Sequence, residues 1–338
     1  MNFSCTIRDT RTEVTYTDDI AALLASYSDA LYVFDEHTIE LVPRTPARCC
    51  IIRSGEVEKH LGTVERILEQ ALSCELGRDA LFIAVGGGVV CDITAFAASV
   101  YMRGVRAILI PTTLLAMVDA SLGGKSGVDF HSFKNLVGSF YPAERVVIHT
   151  PFISTIPENE YLNGLAEIIK HALLVGGALY ERVKSWQSRI MAREPAAMQE
   201  IIHESLLVKK EFIEADPHEK VGIRAKLNLG HTFAHAYESM NQLAGIGHGQ
   251  AVAWGIARAL TAGVLMGVTD SDYCDEVIEL LSSYGYRLDL PIGDRTAFIQ
   301  ALRHDKKNRE GQVTFILQRG IGDTFPGTIP DSILDQLL

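Results

Sequence analysis

The chain has 338 residues, of which 47% are apolar and 22% charged; these proportions exclude a disordered, collagenous or low-complexity protein and predict roughly two domains with real cores. Its 31 basic and 42 acidic side chains leave a net charge of −11, the wrong sign for a protein whose main partner is nucleic acid or an anionic membrane, so any basic site must be a local pocket. The six cysteines form no CxxC pair, the N-terminus is charged at Arg8, Asp9 and Arg11 where a secretory signal needs an apolar run, and the longest apolar stretch, 251–268, is broken by Arg258. The expectation is a cytoplasmic protein with reduced thiols and no membrane span.

In chain order, short β-type runs at Leu31–Phe34, Cys49–Ile52, Ala80–Val85 and Val105–Ile110 alternate with helical patterns such as Val57–Ser73. That alternation predicts an α/β layer with a mostly parallel sheet. After Thr155-Ile156-Pro157 the helical period takes over, at Tyr161–Val175, Leu179–Met191, Ala197–Ile213, His231–Met240, Ala251–Met266 and Tyr273–Tyr284. A late strand is expected at Val313–Leu317, after a turn at Glu310-Gly311. The fold class predicted is an N-terminal α/β nucleotide-binding domain over 1–156 and a mainly α-helical C-terminal domain over 157–338, with a ligand between them.

Val85-Gly86-Gly87-Gly88-Val89-Val90-Cys91-Asp92 follows a strand and opens a helix, which suits a pyrophosphate at a helix N-terminus although the spacing is not GxGxxG. Ser54 to Lys59 and Pro111-Thr112-Thr113 add polar groups after neighbouring strands. Glu167, His231 and His248 supply one carboxylate and two imidazoles, the composition of a catalytic zinc site with an open position. His231 and His235 lie four apart, yet Thr232 stands where an HExxH protein has its base. The glycine-rich run Val118 to Gly127, ending Gly124-Lys125-Ser126, lacks P-loop spacing, so ATP binding is not expected. Further cationic or amide groups stand at Arg103, Lys134, Asn135, Lys170, Lys210, Arg224, Asn228, Lys306 and Lys307.

Read together, Gly86-Gly87-Gly88 with Asp92, Tyr101-Met102-Arg103-Gly104, Ile110 to Ala116, Val118-Asp119 with Gly123-Gly124-Lys125, Lys134-Asn135-Leu136, Gly164 to Lys170, Leu227 to Phe233 with His235, His248-Gly249 and Asp305-Lys306-Lys307 resemble the dehydroquinate synthases, the NAD- and zinc-dependent branch of the sugar phosphate cyclases. The resemblance covers about Asp35 to Leu317. It implies that Glu167, His231 and His248 bind zinc, with cobalt as a substitute. NAD would lie across Asp35, Glu56, Lys59, Gly88, Val89, Asp92, Thr112, Thr113, Lys125, Lys134, Phe152 and Thr155.

The reaction implied converts 3-deoxy-D-arabino-heptulosonate 7-phosphate into 3-dehydroquinate and phosphate, through oxidation at C5, loss of phosphate, re-reduction, ring opening and aldol closure. Zinc polarises the C4 and C5 hydroxyls for hydride transfer to NAD, and the resulting ketone acidifies C6. By the same resemblance Lys170 and Asp119 orient ring hydroxyls, His235 moves a proton near the phosphate, and Arg103, Lys125, Asn135, Asn228 and Lys306 bind the phosphate. Arg103 would come from the second subunit of a homodimer, and Lys210 with Arg224 would face the substrate carboxylate. Four residues depart from the family's pattern: Cys91 and Ala234 replace glycines, Gln250 a glutamate, and Lys220 an acid. Three other readings compete: a sister cyclase acting on a sugar phosphate without the carboxylate (of aminodehydroquinate, 2-epi-5-epi-valiolone or 2-deoxy-scyllo-inosose synthase type), a metal-dependent alcohol or glycerol dehydrogenase, and a silent binding protein.

Overall fold

A computed structural model describes residues 1–131, 133–240, 246–304 and 313–338. They form two compact units, one of Met1–Gly164 with Lys209–Pro217, the other of Leu165–Val208 with His218–Leu338. The elements of the first are β1 (Phe3–Ile7), β2 (Thr10–Tyr16), α1 (Ile20–Ala25), β3 (Leu31–Asp35), β4 (Cys49–Ile52), α2 (Leu61–Ser73), β5 (Leu81–Gly86), α3 (Gly88–Val100), β6 (Arg106–Pro111), β7 (Lys125–Phe130), β8 (Phe133–Phe140) and β9 (Arg145–Ile148).

Seven strands make one sheet in the order β1-β2-β9-β6-β5-β3-β4. Every pairing from β2 to β4 is parallel, and β1 closes the far edge as an antiparallel hairpin with β2. The side chains explain the placement: all of β5 and all but the last residue of β3 are buried, as expected for central strands covered on both faces. The sequence reading finds these strands to within one residue. It does not anticipate β1, β2 and β9, which are short or rich in Thr, Arg and Glu.

The chain runs from β3 outward to β4, then crosses back to β5 and continues through β6 to β9, so the winding reverses between β3 and β5. In open α/β sheets that reversal opens a crevice at the carboxyl ends of the two strands. The glycine-rich run at 118–127 is not one loop. Ala116–Ala120 forms a π-helical turn and Lys125 begins β7, which pairs with β8.

The second unit is helical: α4 (Glu158–Val175, entering from Leu165), α5 (Gly177–Ser185), α6 (Gln187–Met191), α7 (Pro195–Ala215, to Val208), α8 (His231–Met240), α9 (His248–Leu265), α10 (Ser271–Ser283), α11 (Arg295–His304) and α12 (Asp331–Leu337), with the hairpin β10 (Phe315–Gly320) and β11 (Asp323–Gly327). The span read as one helix over 179–191 is two, because Trp186 leaves helical geometry at φ −101°, ψ 15°. The turn expected at Glu310-Gly311 lies outside the described residues, and the late strand runs Phe315–Gly320 rather than 313–317.

Trp254 of α9 is fully buried and meets Phe233 and Tyr237 of α8 and Phe298 of α11, with ring centroids 5.1 to 6.2 Å apart. Next to this cluster α8 begins against α9 backbone to backbone. A Cβ on Gly255 would lie 2.1 Å from the Gly230 carbonyl oxygen, and one on Gly230, held at φ +79°, 2.7 Å from the Ile256 nitrogen. His231 follows Gly230 directly, so this glycine contact fixes where its imidazole starts. Gly255→Ala should therefore cost about 1–3 kcal/mol of stability by overpacking, which thermal unfolding of the variant checks.

Candidate active site

In the first unit, groups named from the sequence gather after the carboxyl ends of the parallel strands. Asp35 ends β3, Glu56 and Lys59 follow β4, Gly87 and Gly88 follow β5, Thr112 and Thr113 follow β6, and Phe152 to Thr155 form a 3₁₀ turn after β9. Asp35 and the glycine turn flank the winding reversal. Gly87 caps α3 in extended geometry, and a Cβ there would press on Thr113 Cγ2 at 3.2 Å. Thr112 is buried and donates its backbone N–H to the Gly86 carbonyl.

Buried Lys59 reaches across to α3 and pairs with Asp92 at 2.7 Å. Burial works against both charges. On Lys59 the attraction of Asp92 and Glu56 outweighs it and raises the pKa, whereas on Asp92 burial raises the pKa and Lys59 offsets this only in part, since Glu56 repels the same charge. The Asp35 carboxylate accepts from the N–H groups of His37 and Thr38, so it shapes its own turn. Lys134 faces Glu56 at 3.8 Å.

Residues expected at the phosphate and carboxylate are placed less uniformly. Arg103 is exposed and makes no ion pair among the described residues. Met102 and Arg103 are both left-handed, at φ 49° and 71°, a conformation costing about 1–2 kcal/mol per non-glycine residue. Lys125 is exposed at the start of β7, and Asn135 is exposed and left-handed, its N–H donated to Asp129. Lys210 lies 3.8 Å from Glu214 on its own helix. The adjacent Lys209 is the buried one, and donates to Asp119 Oδ1 at 2.7 Å from the π-helical turn. In the second unit Arg224 is buried and pairs with Glu219 at 3.1 Å, and Asn228 donates to the Ala225 carbonyl. Lys306 and Lys307 lie outside the described residues.

The second unit also holds the metal candidates. Glu167 of α4 is fully buried, and its Oε1 has no hydrogen-bond partner among the described residues. His231 Nε2 stands 3.4 Å from that oxygen and His248 Nε2 3.5 Å. His231 begins α8 and His248 begins α9. Each imidazole is held by its other nitrogen: His231 Nδ1 by the Leu229 carbonyl at 3.2 Å, His248 Nδ1 by Glu238 Oε1 at 3.1 Å. Both acceptors require a hydrogen on Nδ1, so that in the neutral rings the Nε2 lone pairs face the carboxylate.

Lone pairs do not attract one another, so this convergence needs a cation or a proton. Ligand atoms about 2.1 Å from a tetrahedral zinc lie about 3.4 Å from each other, which is the spacing found. As protein groups alone, Glu167 is opposed by burial yet kept well below the usual carboxylate range by Lys170 and the two imidazoles. His231 is pushed well down by burial and Lys170, whereas His248, also opposed by burial, is raised to about 10 by Glu167 and Glu238. The donor set thus fits a divalent cation. Lys170, buried on the same helix, donates to Glu167 Oε2. His235 comes one turn after His231, the two rings 5.4 Å apart and nearly perpendicular.

The sequence reading passes over Glu238 and Lys209. Glu238 had a signal, seven residues after His231 and therefore on nearly the same helix face. Lys209 had none, since only the helix phase separates it from Lys210. The departures from the family pattern are absorbed locally. Cys91 is buried with its thiol toward the Gly86 carbonyl at 3.6 Å, and Ala234 is buried. The Gln250 amide donates to the Arg287 carbonyl at 2.7 Å and accepts the Arg287 N–H at 3.0 Å, a pairing that a carboxylate could make only in half. Lys220 is exposed.

Among solved structures the fold is similar to 2-epi-5-epi-valiolone synthase from Streptomyces hygroscopicus subsp. jinggangensis, with NAD+ and Zn2+ bound (TM-score 0.86, 26% identity, 96% of this chain and 94% of that one). It is equally similar to a 2-deoxy-scyllo-inosose synthase complexed with carbaglucose-6-phosphate, NAD+ and Co2+ (TM-score 0.86, 24% identity, 100% and 99%). A probable glycerol dehydrogenase from Sinorhizobium meliloti shares the fold less closely, at TM-score 0.65 and 16% identity over 96% and 94%. In sequence the chain is 39% identical over 297 residues to a 3-dehydroquinate synthase of Acidithiobacillus ferrooxidans, covering 87% of this chain and 80% of that protein. It is 41% identical over 271 residues to that of Campylobacter curvus, covering 80% and 77%. Residues 49–163 match the family model of the 3-dehydroquinate synthase N-terminal region and residues 164–308 that of its C-terminal region. The two stretches contain the glycine turn, the paired Lys59 and Asp92 and the convergent Glu167, His231 and His248, and with them the chain belongs to the 3-dehydroquinate synthase family.

Proposed function

We propose that the protein is a 3-dehydroquinate synthase, a phosphate-eliminating lyase that converts 3-deoxy-D-arabino-heptulosonate 7-phosphate into 3-dehydroquinate and inorganic phosphate. It would work as a homodimer in the reducing cytoplasm, on a small sugar phosphate rather than on nucleic acid or a membrane. The observation that carries the reading is the buried Glu167 oxygen faced at 3.4 and 3.5 Å by two imidazole nitrogens, in a chain matched to the family along both halves.

In this reading Glu167, His231 and His248 hold zinc or cobalt, and the strand ends from Asp35 to Thr155, with Lys59 and Asp92 at their centre, hold NAD. When bound, the cation would polarise vicinal hydroxyls of the substrate and the nicotinamide would take up and return a hydride, so that a turnover consumes neither. The protein's own groups do the rest. Lys170, held beside Glu167, donates to a ring hydroxyl. Asp119, oriented by Lys209, accepts from another. His235 carries a proton between its imidazole nitrogen and the substrate near the phosphate. Arg103, Lys125, Asn135, Asn228 and Lys306 would gather the phosphate oxygens.

Full-length protein supplied with zinc, substoichiometric NAD and the heptulosonate phosphate should release phosphate and form dehydroquinate without accumulating NADH. A chelator should stop turnover and zinc or cobalt restore it. NADH growing in proportion to product would instead indicate a dehydrogenase, and faster turnover of glucose 6-phosphate or sedoheptulose 7-phosphate a sister cyclase.

The carboxylate of the heptulosonate is what those competing sugar phosphates lack, and Arg224 is the buried guanidinium suited to it, exchanging Glu219 for the substrate as partner. Arg224→Ala should cost the heptulosonate about 3 kcal/mol in kcat/KM, the scale of a broken buried charge pair. Trace activity on sedoheptulose 7-phosphate should hardly change, which parallel kinetics on both substrates would reveal.

The strained, outward Arg103 suits a role in a neighbouring subunit. Arg103→Ala and His231→Ala should each be inactive alone, and mixed dimers of the two should regain up to one functional site each. Mixing the purified variants under conditions of subunit exchange measures this.

A further inference from the structure

Glu167 and Lys170 belong to the reading above, and one further acidic side chain of the second unit stands behind a ligand. Glu167 contributes one negative charge and Lys170, in contact with it, cancels that charge. Imidazoles ligate a cation only as neutral rings, so the innermost shell offers a dication no net negative charge. A second carboxylate of this unit, Glu238, is 9% exposed and lies 3.1 Å from His248 Nδ1.

We infer that Glu238 is a positioning residue for the metal centre, and this inference rests on the reading that the centre binds a divalent cation. It fixes His248 as an Nε2 ligand and provides the negative charge that Lys170 takes from Glu167. Two geometric facts carry the inference. Glu238 lies seven residues after His231 on α8, within about 20° of the same helix face, so one face presents a ligand and, two turns on, the support for another. The two ligands are also held by unlike acceptors. A backbone carbonyl orients His231 and remains in any variant, whereas His248 depends on a side chain. A carboxylate only accepts hydrogen bonds when ionised, so it admits a single tautomer and a narrow range of ring orientations. Glu238 does both jobs at once.

Two substitutions separate the jobs. Glu238→Gln keeps an oxygen that accepts from Nδ1 but removes the charge; Glu238→Ala removes both. Metal-stripped wild type and variants are titrated with zinc against a competing chelator, and with cobalt while the visible absorption is recorded. Loss of a hydrogen-bonded carboxylate behind a ligating histidine costs about 10- to 100-fold in metal affinity. Glu238→Ala should fall in that range with altered cobalt bands, and Glu238→Gln between it and the wild type with bands unchanged in position.

Thermal unfolding of the metal-free proteins controls for general damage. Should Glu238→Ala not fold, Glu238→Gln decides: weakened zinc binding with unchanged cobalt bands supports the inference, and affinity within about twofold of wild type overturns it. Wild-type affinity and cobalt bands in a folded Glu238→Ala would overturn it as well. If the wild type itself binds neither zinc nor cobalt, the metal-centre reading fails instead.

Discussion

A carboxylate buried to zero exposure dictates the design of the helical unit. Glu167 carries a charge that burial alone would expel or neutralise, and it is tolerated because Lys170 and two imidazoles converge on it. The helices that bring those groups are themselves fixed by contacts with no chemistry in them. Gly230 against Gly255 lets α8 start close to α9, and the Trp254 cluster fills the space beside them. The two bonds between Gln250 and Arg287 tether the first turn of α9 two residues after His248. Packing therefore carries out the placement that the charge on Glu167 requires.

The sheet-bearing unit solves a different problem by a different route. Its residues are not clustered by one buried charge but by topology, since each follows a parallel strand and the strands deliver their carboxyl ends to one edge of the sheet. Such a plan needs little from any single side chain. It explains why a cysteine at position 91 is accommodated with nothing more than a thiol turned toward a carbonyl.

What the sequence made legible follows the same division. Largely buried strands such as Leu31–Asp35 and Leu81–Gly86 read clearly because both faces are apolar, and the carboxylate and imidazoles at 167, 231 and 248 stand out as candidates by chemistry. Strands that are half polar or carry glycine do not: in β7 and β8, Gly127 and Gly138 pass within contact of each other's backbone, and a glycine-rich run reads as loop. The helix break at Trp186 is hidden because no glycine or proline marks it, and Arg182 and Arg189 flank the indole from both sides of the break. The choice between Lys209 and Lys210 turns on about 100° of helix rotation, which no spacing in a lysine pair reveals.

The return of Lys209–Pro217 to the first unit has a consequence for the order in which the chain can mature. A ribosome that has delivered residues 1–164 has released every strand of the seven-stranded sheet, yet not the lysine that binds Asp119 nor the glutamate that accepts the Thr6 N–H. At roughly 5–20 residues per second, the nascent sheet waits for seconds before those partners emerge. The sheet-bearing unit is thus encoded as a discontinuous one, and a gene fragment ending at Gly164 would yield a sheet without the clasp on its π-helical turn.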